Sequence, residues 1–301
     1  MDTAAAPADS RSDGNEGSGG SGRSNASAAW RRFRRSSSGV FGLTLVVLLA
    51  LVALLAPVIA PYDPHSTSRA AFAPPLSAGH VLGTDNLGRD VISQVIWGSR
   101  VSLMVGLAAA ATATLIGVIV GAFAGYLGGR FDELLMRVTE FFQVIPRFVL
   151  ALIVVAFFGS GLVNLILVIG VLSWPQTARL VRSQYLSHKT LPYVDAGRAI
   201  GMRSFRIMFM QILPNAMGPV LVVASLDVAQ AILLEASLGF FGLGDPNLTS
   251  WGGMLNTAQT FIRRAWWMSV FPGIGITLAV LGFNLFGDGL TEAYDPRMAP
   301  R

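Results

Sequence analysis

The apolar positions of this chain fall in long uninterrupted blocks, not in the alternating or one-faced patterns of a water-soluble domain. Val40–Ala60 contains no charged residue, and neither does Val101–Gly125. Each exceeds the ~18 residues that mark a membrane-spanning helix. The stretch from Arg137 to Ala178 divides at Gly159-Ser160-Gly161, a turn signature, into Arg137–Phe158 and Leu162–Ala178. A fifth block runs from Ala216 to Leu243 and a sixth from Trp266 to Gly287. The pattern predicts an all-α bundle of six membrane-spanning helices.

Charge orients the spans. Four arginines in "WRRFRR" (Trp30–Arg35) precede the first one, and Arg179, Arg182, Lys189, Arg198, Arg203 and Arg206 crowd residues 179–212 against one acid, Asp195. Basic loops favour the cytoplasmic side, so an even number of spans separates these two segments. That parity selects two spans within 137–178 and six in all, with both termini cytoplasmic. Arg263 and Arg264 then lie outside, against the bias. Arg137, Glu140 and Arg147 are expected at the cytoplasmic mouth of span three, with Pro146 kinking or restarting that helix. Val91, Val95, Ile96 and Val101 predict a short helix lying on the outer membrane surface.

The expected organisation follows. Residues 1–29, rich in Gly, Ser, Ala and Asp, predict a disordered cytoplasmic tail, without the basic-then-apolar order of a signal peptide. Residues 30–100 hold the first span and a long extracytoplasmic loop. Residues 101–290 form the transmembrane core, and 291–301 a cytoplasmic tail.

Composition narrows the function classes. Only 13% of residues are charged, against about 25% in soluble domains. The net charge of +5 is accounted for by arginines flanking spans, so nucleic acid is not an expected partner. The absence of cysteine removes disulfides and thiolate chemistry. His65, His80 and His188 are far apart in sequence, which argues against a metal site. The single lysine, Lys189, follows His188 with no glycine before it, so the phosphate-binding loop of an ATPase is missing. Any ATP-driven work needs a motor on another subunit and a docking element on this one.

Three features carry candidate roles. Gly117, Gly121 and Gly125 recur at four-residue spacing, which lets another helix approach closely. Asp227 and Glu235 are carboxylates inside span five. Each either lines a substrate path or makes a structural hydrogen bond to a neighbouring helix. In residues 193–215, "YVDAGRAIGMRSFRIMFMQILPN", Tyr193, Val194, Ala196, Ile200 and Phe205 are apolar positions near helical spacing, and Asp195, Arg198, Arg203 and Arg206 supply polar contacts. Such a segment either enters a partner's groove or lies on anionic lipid.

That last segment resembles the EAA loop of ABC-importer permeases, whose pattern is E-A-A-x3-G-x9-I-x-L-P. Asp195, Ala196 and Gly197 stand at E-A-A, Gly201 at the glycine, and Leu213-Pro214 at L-P. Three departures stand out: Asp195 for Glu, Gly197 for the second Ala, and Gln211 where the pattern has Ile. The resemblance extends through "GLTLVVLLALVALLAPVIAPYDP", "HVLGTDNLGRDVISQVIWGSRVSL", "ILLEASLGFFGLG", "WGGML" and "DGLTEAYDPR". It covers the chain from about residue 30, and is to the dipeptide/oligopeptide/nickel subfamily, as the second permease of a pair.

The resemblance implies a type I ABC-importer permease in a bacterial inner membrane. It is a pore-forming subunit, not an enzyme. Implied partners are a second homologous permease, two ATPases carrying the ATP and magnesium, an extracytoplasmic binding protein and membrane lipid. The implied cargo is a dipeptide or longer peptide, with nickel and haem-like ligands also found in the family. Asp195, Ala196, Gly197, Arg198, Gly201, Arg203, Leu213 and Pro214 would couple to an ATPase. Asp227 and Glu235 would be the path candidates. An ion-driven secondary transporter is the rival reading, and would need paired broken helices and several mid-span ionisable groups.

Overall fold

The computed structural model describes residues 30–77 and 79–294. The expected tail at 1–29 lies outside the described residues. These are helical apart from loops and turns, with no strand among them and only isolated bridges Ser77–His80 and Thr84–Asp90. In chain order the helices are α1 (Ser37–Leu54), α2 (Ala56–Ile59), α3 (Val91–Leu127), α4 (Gly129–Val144), α5 (Arg147–Phe158), α6 (Leu162–His188), α7 (Pro192–Ala199), α8 (Ser204–Arg206), α9 (Leu213–Phe240), α10 (Trp251–Gln259) and α11 (Trp267–Tyr294). A π-helical segment, Ile207–Ile212, joins α8 to α9.

Five helical stretches are long and apolar enough to cross a membrane. The pair α4 and α5, bent by 86° at its break, supplies a sixth if counted as one span. The break falls where Ile145 adopts an extended backbone before Pro146, as residues preceding proline do. The span expected over Arg137–Phe158 is thus restarted at Pro146, as its proline predicts, and α4 starts eight residues earlier than that span, at Gly129.

Other boundaries also move. The surface helix expected at 91–101 is the first three turns of α3, capped by the Asp90 carboxylate, which accepts from the Ser93 backbone N–H at 2.9 Å. With 37 residues, α3 is ~55 Å long. Helix α6 runs to His188, so Arg179 and Arg182 are helical instead of lying in a loop. Helix α11 continues through Tyr294, past the expected start of the tail at 291. Polar residues conceal these extensions from hydropathy, but nothing in their sequence stops the helix.

The core pairing is α3 against α6, the most extensive contact in the bundle. It is the glycine stripe of α3 that permits it. A Cβ at Gly117 would stand 2.6 Å from Thr177 Cβ, and one at Gly125 2.6 Å from Tyr185 Cβ. At Gly121 it would overlap the Ala178 carbonyl oxygen. A second small-residue seam, with Gly39 on Gly289 and Gly42 on the Phe286 backbone, joins α1 to α11.

The loop between α2 and α3 is folded tightly on itself. Asp85 accepts from the backbone N–H groups of Leu87 and Arg89 and from the Gln94 amide. Trp267 of α11 donates its indole N–H to the Thr84 carbonyl. Gly88 has φ +74° and lies against Ser68, so a side chain is excluded there on both counts.

The seam makes a testable demand. Gly121→Ala is expected to lower the melting temperature of the detergent-solubilised chain by the equivalent of ~1–3 kcal/mol, the usual penalty of overpacking. Gly273→Ala, at a helical site with nothing within 4 Å, is the control. It should be neutral or slightly stabilising, as alanine is the better helix former. Equal melting temperatures for the two variants would contradict the close approach.

Candidate functional site

The candidate residues of the sequence fall at two places where polar groups concentrate. The first is the 189–214 segment at the α6/α9 end of the bundle. Its inner side is built like a core. Val194 of α7 is fully buried with Tyr185, Ile207, Met208 and Ile212. The Tyr185 hydroxyl donates to the Met208 carbonyl at 2.9 Å. That carbonyl belongs to the π segment, whose wider turn displaces backbone groups from the α-helical ladder.

Charged groups brace the same region. Arg182 grips Asp132 of α4 through two bonds of 2.5 and 2.6 Å. Such a bidentate pair holds direction as well as distance. Lys189 donates to the Gly125 carbonyl at 3.1 Å, meeting one of the C-terminal carbonyls that α3 leaves open. Arg198 lies over the Tyr126 ring at 5.9 Å and pairs with Asp195 at 3.1 Å.

The outer side of the segment is open. Asp195, Ala196, Arg198, Gly201, Arg203 and Pro214 are exposed, and Leu213 is half-buried. Ile200 and Phe205 are 79% and 67% exposed. Sequence spacing counts both with the apolar face, yet the buried face is Val194 and Gly197. Two large apolar side chains at a tip rimmed by arginines form a surface that a groove can cover.

Helix α7 ends on Gly201 at φ +74°. The Met202 N–H bonds the Gly197 carbonyl and the Gly201 N–H the Arg198 carbonyl, the two bonds of a Schellman cap. Pro214 occupies the first turn of α9, directly after the π segment.

Gly197 and Gln211, two of the three departures from the loop pattern, touch each other. A Cβ at Gly197 would come within 2.7 Å of Gln211 Oε1. The Gln211 amide donates to the Met202 sulfur, while its Oε1 is buried without a partner. The missing methyl of one residue is the space taken by the other.

The second place is a cavity of about 840 Å³ between α5, α6 and α9. Asp227, Gln230, Leu234 and Ser237 of α9 line it along one helical face. Arg147 and Phe148 come from α5, and Ser173, Gln176 and Arg179 from α6. Asp227 is 3% exposed and accepts a hydrogen bond from Thr177 at 3.1 Å. Arg147, expected at the mouth of a span, faces this cavity instead. A charge within a span costs about 2.5–3.5 kcal/mol on insertion scales, and so faces protein or water.

Glu235 lies elsewhere. It is 1% exposed and accepts from Ser102 of α3 at 2.9 Å, away from the cavity lining. It ties α9 to α3. Sequence reading missed Arg147 and Arg179 as cavity residues. One signal was present: Asp227, Gln230 and Ser237 form a polar stripe at helical spacing, which any facing charge would join.

Comparison with known proteins finds relatives among transport permeases. Residues 117–300 match the family described as binding-protein-dependent transport system inner membrane component. Residues 24–75 match the N-terminal TM domain of oligopeptide transport permease C. The chain is 41% identical to a di/tripeptide transport system permease protein of Pseudomonas aeruginosa, over 80% of this chain and 82% of the relative. It is 37% identical to an oligopeptide transport system permease protein of Bacillus subtilis, over 80% of each. It is 39% identical to a glutathione transport system permease protein of Pectobacterium atrosepticum, over 74% of each.

The contact between Gly197 and Gln211 can be tested by a double-mutant cycle in melting temperature. Gly197→Ala alone is expected to be near neutral, since better helix propensity offsets displacement of the Gln211 amide. In the Gln211→Ile background it should stabilise, with a non-additivity of ~0.5–1 kcal/mol for touching residues. Additive effects would show that the two side chains do not meet.

Proposed function

This chain belongs to the binding-protein-dependent transport system inner membrane components, and from that membership we propose that it is one half of the translocation path of an ATP-driven peptide importer. The other half is a second, homologous permease. Two ATPase subunits carry the ATP and magnesium, and an extracytoplasmic binding protein delivers the peptide. Peptide cargo is carried over from the relatives, whose names specify di/tripeptides, oligopeptides and glutathione.

One observation supports this reading above the others. The 189–214 segment is rigidly backed by Tyr185, Lys189 and the Arg182–Asp132 pair. It nevertheless leaves Ile200 and Phe205 exposed at its tip. A lever needs a stiff shank and an exposed contact, and an ATPase groove would supply the other side of that contact. Asp195, Ala196, Arg198, Gly201 and Arg203 rim the contact. Gly197, Leu213 and Pro214 set its angle to α9.

Closure of the ATPases would displace α7 and, through α6 and α9, rock the bundle between inward-open and outward-open states. The cavity bearing Asp227 would then face each side in turn, with Glu235 holding α9 to α3 as it moves. The ion-driven alternative has less behind it. A single broken helix pair occurs among the described residues, where that mechanism calls for two.

The reading places 189–214 in the cytoplasm and the 61–90 loop outside, with the N-terminus on the cytoplasmic side. The chain lacks cysteine, so single cysteines report topology cleanly. In intact cells a membrane-impermeant maleimide should label Leu76→Cys, at a site 86% exposed, and spare Arg203→Cys. The opposite pattern would invert the scheme. In the assembled transporter Gly201→Val should reduce peptide uptake ~10-fold or more while the chain still inserts. A β-branched residue is a backbone outlier at positive φ, and ~1–2 kcal/mol of strain is about a tenfold effect. Normal uptake by this variant would count against the coupling role.

A further inference from the structure

The cavity has a sign. Its wall carries two guanidinium groups, Arg147 and Arg179, and one carboxylate, Asp227. Among the described residues neither arginine has a carboxylate within 4 Å, although Arg147 attracts Asp227 across the wall at longer range, so that two cations stand against one anion. Arg179 is exposed and Arg147 half-exposed, whereas Asp227 is buried and engaged by Thr177. The reachable charge is therefore positive. Unpaired cations within spanning helices face water or a counter-charge, and guanidinium groups match carboxylates in geometry as well as charge. The volume, about 840 Å³, is within the ~300–1,000 Å³ range of ligand clefts.

Resting on the importer reading, we infer that this wall is a carboxylate station in the path. Arg147 and Arg179 hold a terminal or side-chain carboxylate of the peptide in transit. The permease itself thus contributes selectivity by charge: acidic and neutral peptides pass faster than basic ones. Gln176, exposed on α6 three residues before Arg179 and on the same wall, is a neutral position from which the field can be altered in either direction.

The test uses the complete transporter in proteoliposomes, with ATP inside and saturating binding protein outside. Uptake of Ala-Glu and Ala-Lys is measured, and the ratio of the two rates is compared between permeases. Any preference of the binding protein cancels in that comparison. Arg147→Gln and Arg179→Gln should each lower the Ala-Glu to Ala-Lys ratio about tenfold, and Arg179→Glu further still, as expected for loss or reversal of a charge-assisted hydrogen bond. Gln176→Glu should lower the ratio and Gln176→Lys raise it. The Gln176 pair decides the matter if an arginine variant inserts but transports nothing.

An unchanged ratio in the Gln176 pair and in every active arginine variant overturns the inference. If the arginines only pair with an acid of the second permease, the ratio stays fixed while the complex melts at a lower temperature, which also overturns it. Failure of the importer reading looks different: the unsubstituted complex then shows no uptake dependent on ATP and binding protein.

Discussion

The structure depends on the close backbone approach of α3 and α6. Between helices in lipid there is no hydrophobic gain from association, because acyl chains are as apolar as leucine. Contact must come from shape. Gly117, Gly121 and Gly125 lay a smooth strip along α3, and Thr177, Ala178, Val181 and Tyr185 of α6 close onto it. This one seam positions both candidate sites. Tyr185 reaches the π segment from its end, and Arg179 and Gln176 project from α6 into the cavity. Asp227 is anchored by Thr177, itself a seam residue. Polar function is thus built on a surface whose only chemical requirement is smallness.

Much of this could be read from the sequence. The apolar blocks, the turn at 159–161 and the break at Pro146 all follow from local rules that operate within a few residues. The glycine stripe announces a close packing face. What escaped is non-local. Hydropathy ends a helix where polar residues begin, but α3, α6 and α11 continue beyond that point because neighbouring helices and caps sustain them. The first turns of α3 read as a surface helix for this reason.

Direction around a helix was the other blind spot. Asp227 and Glu235 are eight residues apart, and the chain alone does not state which face meets a void and which meets Ser102. The bundle separates them, one to a cavity and one to a buried hydrogen bond. Arg147 was misplaced similarly: its sequence neighbours mark a helix start, but only the 86° bend between α4 and α5 turns that start toward α6 and α9. The contact between Gly197 and Gln211 was equally hidden, because it links a residue of α7 to one inside the π segment across the end of the helix.

The length of α3 has a mechanical meaning. One end carries Gly125 and Tyr126, gripped by Lys189 and Arg198. The other is capped by Asp90 and adjoins the tightly folded loop before it. No break interrupts the 37 residues between. A rod of this length, tilted by about 10° at one end, sweeps its far tip by roughly 10 Å. A small push beside Lys189 would therefore be geared up, without any relay of side chains, into a wide displacement of the folded loop that precedes Val91.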